Sequence, residues 1–308
     1  MRKIIGIVIG VSLLGMLFAG SFLGALHQPE PHGVPVAVVG PVEQMQAAID
    51  QRKPGAFTLS SYASAESGRQ ALLDREVDGV LVPQEGKLIV ASAGGRTAAT
   101  VITAAFAQGK LAVEDAVPLP PGDAGGISGM FYTLSLVLPG IALAVLLAQL
   151  TLGFLARVGA LVAGSLVAGA ANAWLADVVF GALPGSYGWL LAISSGIVLV
   201  IALVGAGLVR LVGTPGVGVA ALLFIAVGLP ASGGPLGARF IPEWYAALGR
   251  FLPVGAGADA VRNIVSFEGA ALGWPLGVLG AWALFGLVLL ALPGRAPAPT
   301  PARIPVAV

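Results

Sequence analysis

Residues 4 to 26 run for 23 positions without a single charge. As a helix this stretch is about 35 Å long, slightly more than the roughly 30 Å hydrocarbon core of a bilayer. Water cannot solvate such a surface, and the run has no polar face to turn outward. Five more apolar segments follow: Met130–Leu150, Val158–Phe180, Trp189–Val209, Pro215–Leu229 and Leu272–Leu292. Pro215–Leu229 is short for a span, and Pro139-Gly140 predicts a kink in Met130–Leu150. Hydrophobic residues make up 57% of the chain and charged residues only 10%, against about 25% charged in soluble domains. Lipid therefore has to cover much of the surface. The first run exceeds the 7–15 apolar residues of a signal peptide, which favours an uncleaved helix.

Between the first two runs the character changes. Val34–Val39 reads as a strand, Glu43–Arg52 as a helix and Phe57–Tyr62 as a second strand. Ala65–Arg75 reads as a helix with Ser64 as its N-cap and Glu66 in its first turn. Val77–Val82 and Lys87–Ala91 are strands joined through Gln84-Glu85-Gly86, and Thr97–Gln108 is a further helix. Asp74, Glu76 and Asp78 read as a solvated helix end. Alternating strands and helices predict a small mixed α/β domain over residues 28–127, closed by the Pro-rich linker Val117–Gly122.

The expected fold is thus a polytopic α-helical membrane protein with six transmembrane helices. Helix 1 covers residues 1–27, the α/β domain 28–127, a five-helix membrane domain 128–292, and a disordered tail 293–308. With the N-terminus inside, Arg2, Lys3, Arg157, Arg210, Arg295 and Arg303 all fall on the cytoplasmic side, and the acids fall on the other side or at its boundary. Both termini are then cytoplasmic, the α/β domain is extracytoplasmic, and the location is the plasma membrane.

Residues 232–270 are not an ordinary polar loop. Ile241, Trp244, Tyr245, Leu248, Phe251 and Leu252 recur at helical spacing, so Pro242–Phe251 reads as an amphipathic helix ended by Pro253. Gly255–Phe267 reads as a second helix with Asp259 and Arg262 at i,i+3. The pair can lie on the bilayer or dip into it against the other helices.

Few residues carry chemistry. The chain has no cysteine, which excludes disulfides and thiolate metal sites. A net charge of +1 without a basic cluster excludes nucleic acid as a partner. Gly86-Lys87 and Gly109-Lys110 are followed by Leu and form no phosphate loop. His27 and His32 lack a third ligand nearby, and no nucleophile–base pattern is present. An enzyme is not expected, and no catalytic, cofactor or metal site is legible. Inside the apolar segments the polar candidates are Asn172, read as an inter-helix hydrogen bond, and Asp177, read as a boundary carboxylate. Gly6/Gly10, Gly20/Gly24 and Gly273/Gly277 have the spacing that lets helices approach closely.

The layout of one span, an outer domain and five spans, with Leu252-Pro253 and Arg262 in a helical element before the last span, resembles the ABC-2 type permease superfamily. Pro35–Val39, Ala71–Glu76, Val80–Pro83, Ser232-Gly233-Gly234 and Ile241–Trp244 are similar to its phage-infection-protein-like branch. The resemblance implies a dimeric membrane subunit that exports an apolar or amphipathic substrate, driven by a separate ATPase. The sequence departs from that pattern at its first inner loop, reduced to Gly153–Arg157, which makes Arg157 the residue to test for ATPase coupling. A non-transporting receptor, scaffold or envelope factor acting through the outer domain is the alternative.

Overall fold

The computed structural model describes residues 2–106, 111–185 and 187–293. The tail from 294 onward, including Arg295 and Arg303, lies outside the described residues. Helix α1 spans Arg2–Leu26. A five-stranded sheet follows in the order β2-β1-β3-β4-β5. Its strands are β1 (Val34–Val39), β2 (Phe57–Tyr62), β3 (Gly79–Val82), β4 (Lys87–Val90) and β5 (Ala112–Asp115). Strand β1 pairs in parallel with β2 and β3, β3 pairs antiparallel with β4, and β4 pairs in parallel with β5.

The sheet is mixed because the β3–β4 connection is only a 3-10 turn at Pro83–Glu85, closed by Gly86 at φ +61°. The other connections contain helices: α2 (Glu43–Arg52), α3 (Ala65–Leu73) and α4 (Arg96–Phe106). Ser64 caps α3 through a capping box with Ser67.

Side chains alternate across a strand, and here both faces are covered. Val34, Val36, Val38, Leu81 and Leu88 pack under α2 and α4. Ala37, Val80, Val82 and Ile89 pack against Ala71 and Leu72 of α3. Strand β5 is not predicted by the sequence pattern. Its residues are mostly exposed, and it exists because β4 offers a free edge and because Glu114 bridges Arg69 and Lys87.

The remaining helices form a bundle. They are α5 (Ser128–Ala148), α6 (Phe154–Trp174, continuing as a π-helical stretch Leu175–Val179) and α7 (Tyr187–Val212). Then come α8 (Pro215–Ala221), a π stretch Leu222–Val227, α9 (Gly228–Ala231), α10 (Glu243–Gly249), α11 (Pro253–Ser266) and α12 (Gly273–Ala291). Among the described residues five helices are long and apolar enough to cross a membrane, and Pro215–Ala231 is a shorter apolar helix. In both π stretches the helix is wound more widely, with i→i+5 bonding.

Helix α7 is the hub, with Ile197, Val198, Ile201 and Val204 fully buried among α5, α6, α11 and α12. Backbones close up at glycines. A Cβ on Gly140 would stand 2.7 Å from Ile201, one on Gly169 would stand 2.3 Å from Ser195 Oγ, and one on Gly286 would stand 2.8 Å from Leu203. These are not the glycines whose spacing drew attention in the sequence. Gly6, Gly10, Gly20, Gly24, Gly273 and Gly277 face nothing within 4 Å. Three-residue spacing marks a flat face, and only the partner's approach decides whether it is used.

The bundle exterior is apolar, with Leu155 81%, Val167 70% and Phe180 69% exposed. Among the described residues, helix α1 is exposed along most of its length and meets the bundle at its C-terminal end. There the Ser21 hydroxyl donates to Ala226 O at 2.5 Å and pairs with the Tyr245 hydroxyl. Helix α5 continues unbroken through Pro139.

Candidate functional site

The α/β domain and the bundle meet at residues 232–270. Phe240 inserts into the core under α2 and α4, while Phe267 inserts into the core beside α3. One segment therefore grips the sheet from both faces. Arg239 Nε lies 2.9 Å from Asp78 Oδ2, and its Nη1 donates to Gly33 O at 3.2 Å. The Asp78 side chain is only 16% exposed. It is not the solvated helix end that the neighbouring Asp74 and Glu76 suggest, because its partner lies in the distant 232–270 segment and is invisible to local pattern.

Helix α11 carries this grip into the bundle. Fourteen residues make it about 21 Å long. Its upper end abuts Phe267 in the domain core, and Val265 O lies 3.7 Å from the position of a Cβ on Gly185, just before α7. Lower down, Gly257 meets Ile197, where a Cβ would stand 2.9 Å from Cδ1. Helix α11 is thus antiparallel to α7 and reaches about 15 Å below the start of that helix. At the turn between α10 and α11, Trp282 Nε1 donates to Phe251 O at 2.7 Å and Trp274 Nε1 donates to Arg250 O at 3.1 Å. Gly249 lies directly on the end of α9, where a Cβ would stand 1.9 Å from Ala231 O.

Beside α11 a small cleft of about 80 Å³ opens between domain and bundle. Polar Ser92, Arg96, Asp123, Ser232 and Arg262 line it together with apolar Met130, Leu183, Leu229, Val261 and Val265. The linker that forms one wall is pinned in place. The buried Asp123 carboxylate accepts from the N–H groups of Ile127 and Ser128 at 3.1 Å each, capping α5. Arg96 Nη1 donates to Ala124 O at 2.6 Å, and Ser92 Oγ accepts from Leu119 N–H at 3.1 Å.

Among the residues singled out in the sequence, Asp259 and Arg262 form their i,i+3 ion pair at 3.1 Å, with Arg262 on the cleft wall. Pro253 occupies the first turn of the same helix, at the hairpin bend. Trp244 is 71% exposed and stacks on Tyr245, 4.9 Å between centroids. The others lie elsewhere. Asn172 Oδ1 accepts from Ser135 Oγ at 2.9 Å between α6 and α5, an inter-helix bond as its chemistry predicts. Asp177 sits half-buried in the π stretch ending α6. Arg157 lies at the opposite end of the bundle, buried, its Nη2 donating to Leu150 O and Leu152 O at 3.2 and 3.4 Å. It ties down the end of α5 and presents little surface to a partner.

Sequence reasoning passed over Arg239 and Trp282, took Arg75 only as a helix end, and read Asp78 as solvated, whereas it is held by Arg239. Arg75 caps α3 at φ +66° and stacks on Phe267, 4.6 Å from guanidinium to centroid. Burial first, and the charge of Arg262 second, lower its pKa, with Asp78 and Asp259 partly offsetting them. The chain matches no protein-family model, no curated protein and no solved structure.

Proposed function

We propose that the protein is an integral membrane subunit of an export system of the ABC-2 permease type. In this reading six helices span the plasma membrane, Pro215–Ala231 completing its span with the α10–α11 hairpin. Both termini are cytoplasmic and the α/β domain is extracytoplasmic. The substrate is apolar or amphipathic, and a separate ATPase supplies the energy. The observation that carries the reading is the junction where the domain meets the bundle, a small cleft of mixed polar and apolar lining with α11 running from the domain core along α7. A substrate leaving the lipid passes through such a junction, and a helix fixed at both ends moves with either part. The exposed Leu155, Val167 and Phe180 support lipid as the surrounding solvent.

A second reading has its own support. The inner connections between α5 and α6 and between α7 and α8 are a few residues long, and Arg157 is turned inward. An ATPase finds little to hold there. On that reading the protein is a non-transporting receptor, scaffold or envelope factor working through the outer domain. The test is a paired measurement: cross-linked purification from native membranes, and accumulation of a hydrophobic dye in cells with and without the chain. An ATPase in the purified complex together with raised dye accumulation on deletion supports the exporter. Neither effect, with the protein present in the membrane, removes it and leaves the second reading.

A further inference from the structure

Backbone strain gathers at one contact in this fold, that of Arg75 with Phe267. Among the described residues three that are not glycine hold a positive φ: Arg75 at +66°, Glu268 at +51° and Ala271 at +53°. A side chain in that region crowds its own backbone, and such residues persist only where their surroundings hold them. Arg75 closes α3 on the α/β domain, its N–H donating to Leu72 O. The other two follow Phe267 in the corner, residues 267–272, that leads from α11 to α12. They are far from Arg75 in sequence, and the Arg75–Phe267 contact brings them together.

The contact is a ring in a socket. Phe267 is 5% exposed and lies in the buried cluster of Ala71 and Leu72 of α3. The Arg75 guanidinium covers it at 4.6 Å, and Gly94 closes the edge, where a Cβ would stand 3.2 Å from Phe267 Cζ and 2.4 Å from Arg75 Nη1. The corner is folded back on Asn263. Its carbonyl accepts from Phe267 N–H at 3.1 Å and Gly269 N–H at 2.9 Å, and its Nδ2 donates to Ala271 O at 3.4 Å.

Closing the socket has costs that opening removes. The buried Arg75 Nε and the buried Asn263 Oδ1 have no hydrogen-bond partner among the described residues, and an unpaired polar atom is costly only while water is kept out. Burial, and next the charge of Arg262, work against the Arg75 cation. The left-handed residues of the corner relax once it is free. Against these stand the burial of one aromatic ring and its cation–π contact. Phe267 belongs to no strand, so its ring can leave without breaking a ladder bond of the sheet. Opposed terms confined to so few residues make a two-state element. We propose that Phe267 is a releasable latch: its ring leaves the Arg75–Gly94 socket while sheet and bundle stay folded, and the α11–α12 corner then moves free of the domain. Phe240, the Arg239–Asp78 pair and the bonds of Arg96 and Ser92 to the linker keep the domain attached meanwhile. The latch needs no bilayer and goes with either function above.

The test is amide hydrogen exchange of the full chain in detergent micelles, read residue by residue under conditions where closing outruns exchange. The Phe267 and Gly269 amides, both bonded to Asn263 O, should exchange about a hundredfold faster than those of the central strand β1, because a local opening needs less free energy than unfolding the sheet. Phe267→Ala should speed the Gly269 amide by about tenfold more and leave β1 unchanged. Ala271→Gly and Glu268→Gly remove the crowding at exposed residues, so each should slow the Phe267 and Gly269 amides about threefold. One common rate for the corner and β1 overturns the latch, since the ring then leaves only when the sheet unfolds. A Phe267→Ala change that speeds β1 as much as the corner does the same, and so do glycine variants that leave the corner no slower. Should Phe267→Ala not fold, the two glycine variants decide.

Discussion

Removing one hydrogen from Trp282 tests whether the α10–α11 turn lies in lipid. Its Nε1–H is the donor to Phe251 O, at 2.7 Å, in a turn whose backbone is not helical. The Phe251 side chain is 58% exposed, so something other than protein surrounds it. If that is lipid, no water replaces the lost donor, and an unsatisfied acceptor costs about 1–3 kcal/mol. Hydrogen bonds between membrane helices average nearer ~0.6 kcal/mol because the unfolded state finds other partners. A carbonyl held in an irregular turn has few alternatives, which places the expected loss at about 1–1.5 kcal/mol, or close to tenfold in the folding equilibrium. In water the same change costs under ~0.5 kcal/mol, since solvent takes over the bond. Replacing Trp282 with benzothienylalanine, in which sulfur stands for the N–H, keeps the edge contacts with Phe224 and Phe285. Reversible SDS unfolding in bicelles reads the difference, with Trp282→Phe measured alongside. A loss below ~0.5 kcal/mol for the isostere would refute a lipid-facing turn and return the hairpin to the aqueous surface.

Asp78→Asn should weaken docking of residues 232–240 on the sheet by about 1–2 kcal/mol, between the values for exposed and buried pairs, visible as faster amide exchange there. Glu114 is held down at about 2 by hydrogen bonds from Arg69 and Lys87, against an ordinary value of 4.5. A depressed carboxylate stabilises the fold above its unfolded pKa and loses that contribution as pH falls toward 2. Melting temperature should therefore decline between about pH 5 and 2 in the wild type and less steeply in Glu114→Gln. Arg157→Glu would set a carboxylate against Leu150 O and Leu152 O at the negative end of α5. A cost of about 3–5 kcal/mol is expected, so size-exclusion profiles should show little folded protein, and the variant reports on folding rather than on ATPase coupling.

Much of the fold was legible because its causes are local. Strands β1 and β2 and helix α2 fall where side-chain alternation and periodicity predict them, and Ser64 caps α3 as its chemistry demands. The long apolar helices follow from solvation alone, since a charge-free run of their length has no other stable form. The Asp259–Arg262 pair is likewise a consequence of helical spacing. What the chain could not announce is set by approach between distant residues. Asp78 meets Arg239, Trp282 meets Phe251, and Gly140, Gly169 and Gly286 close up while the regularly spaced Gly6 and Gly10 touch nothing. Strand β5 arises from a neighbour's free edge, and Arg75 becomes an unmatched cation only after Phe267 and Arg262 are brought against it. Periodicity and solvation act along the chain and can be read there. Charge balance and contact act through space, and they take their values only when the domain is seated on the bundle.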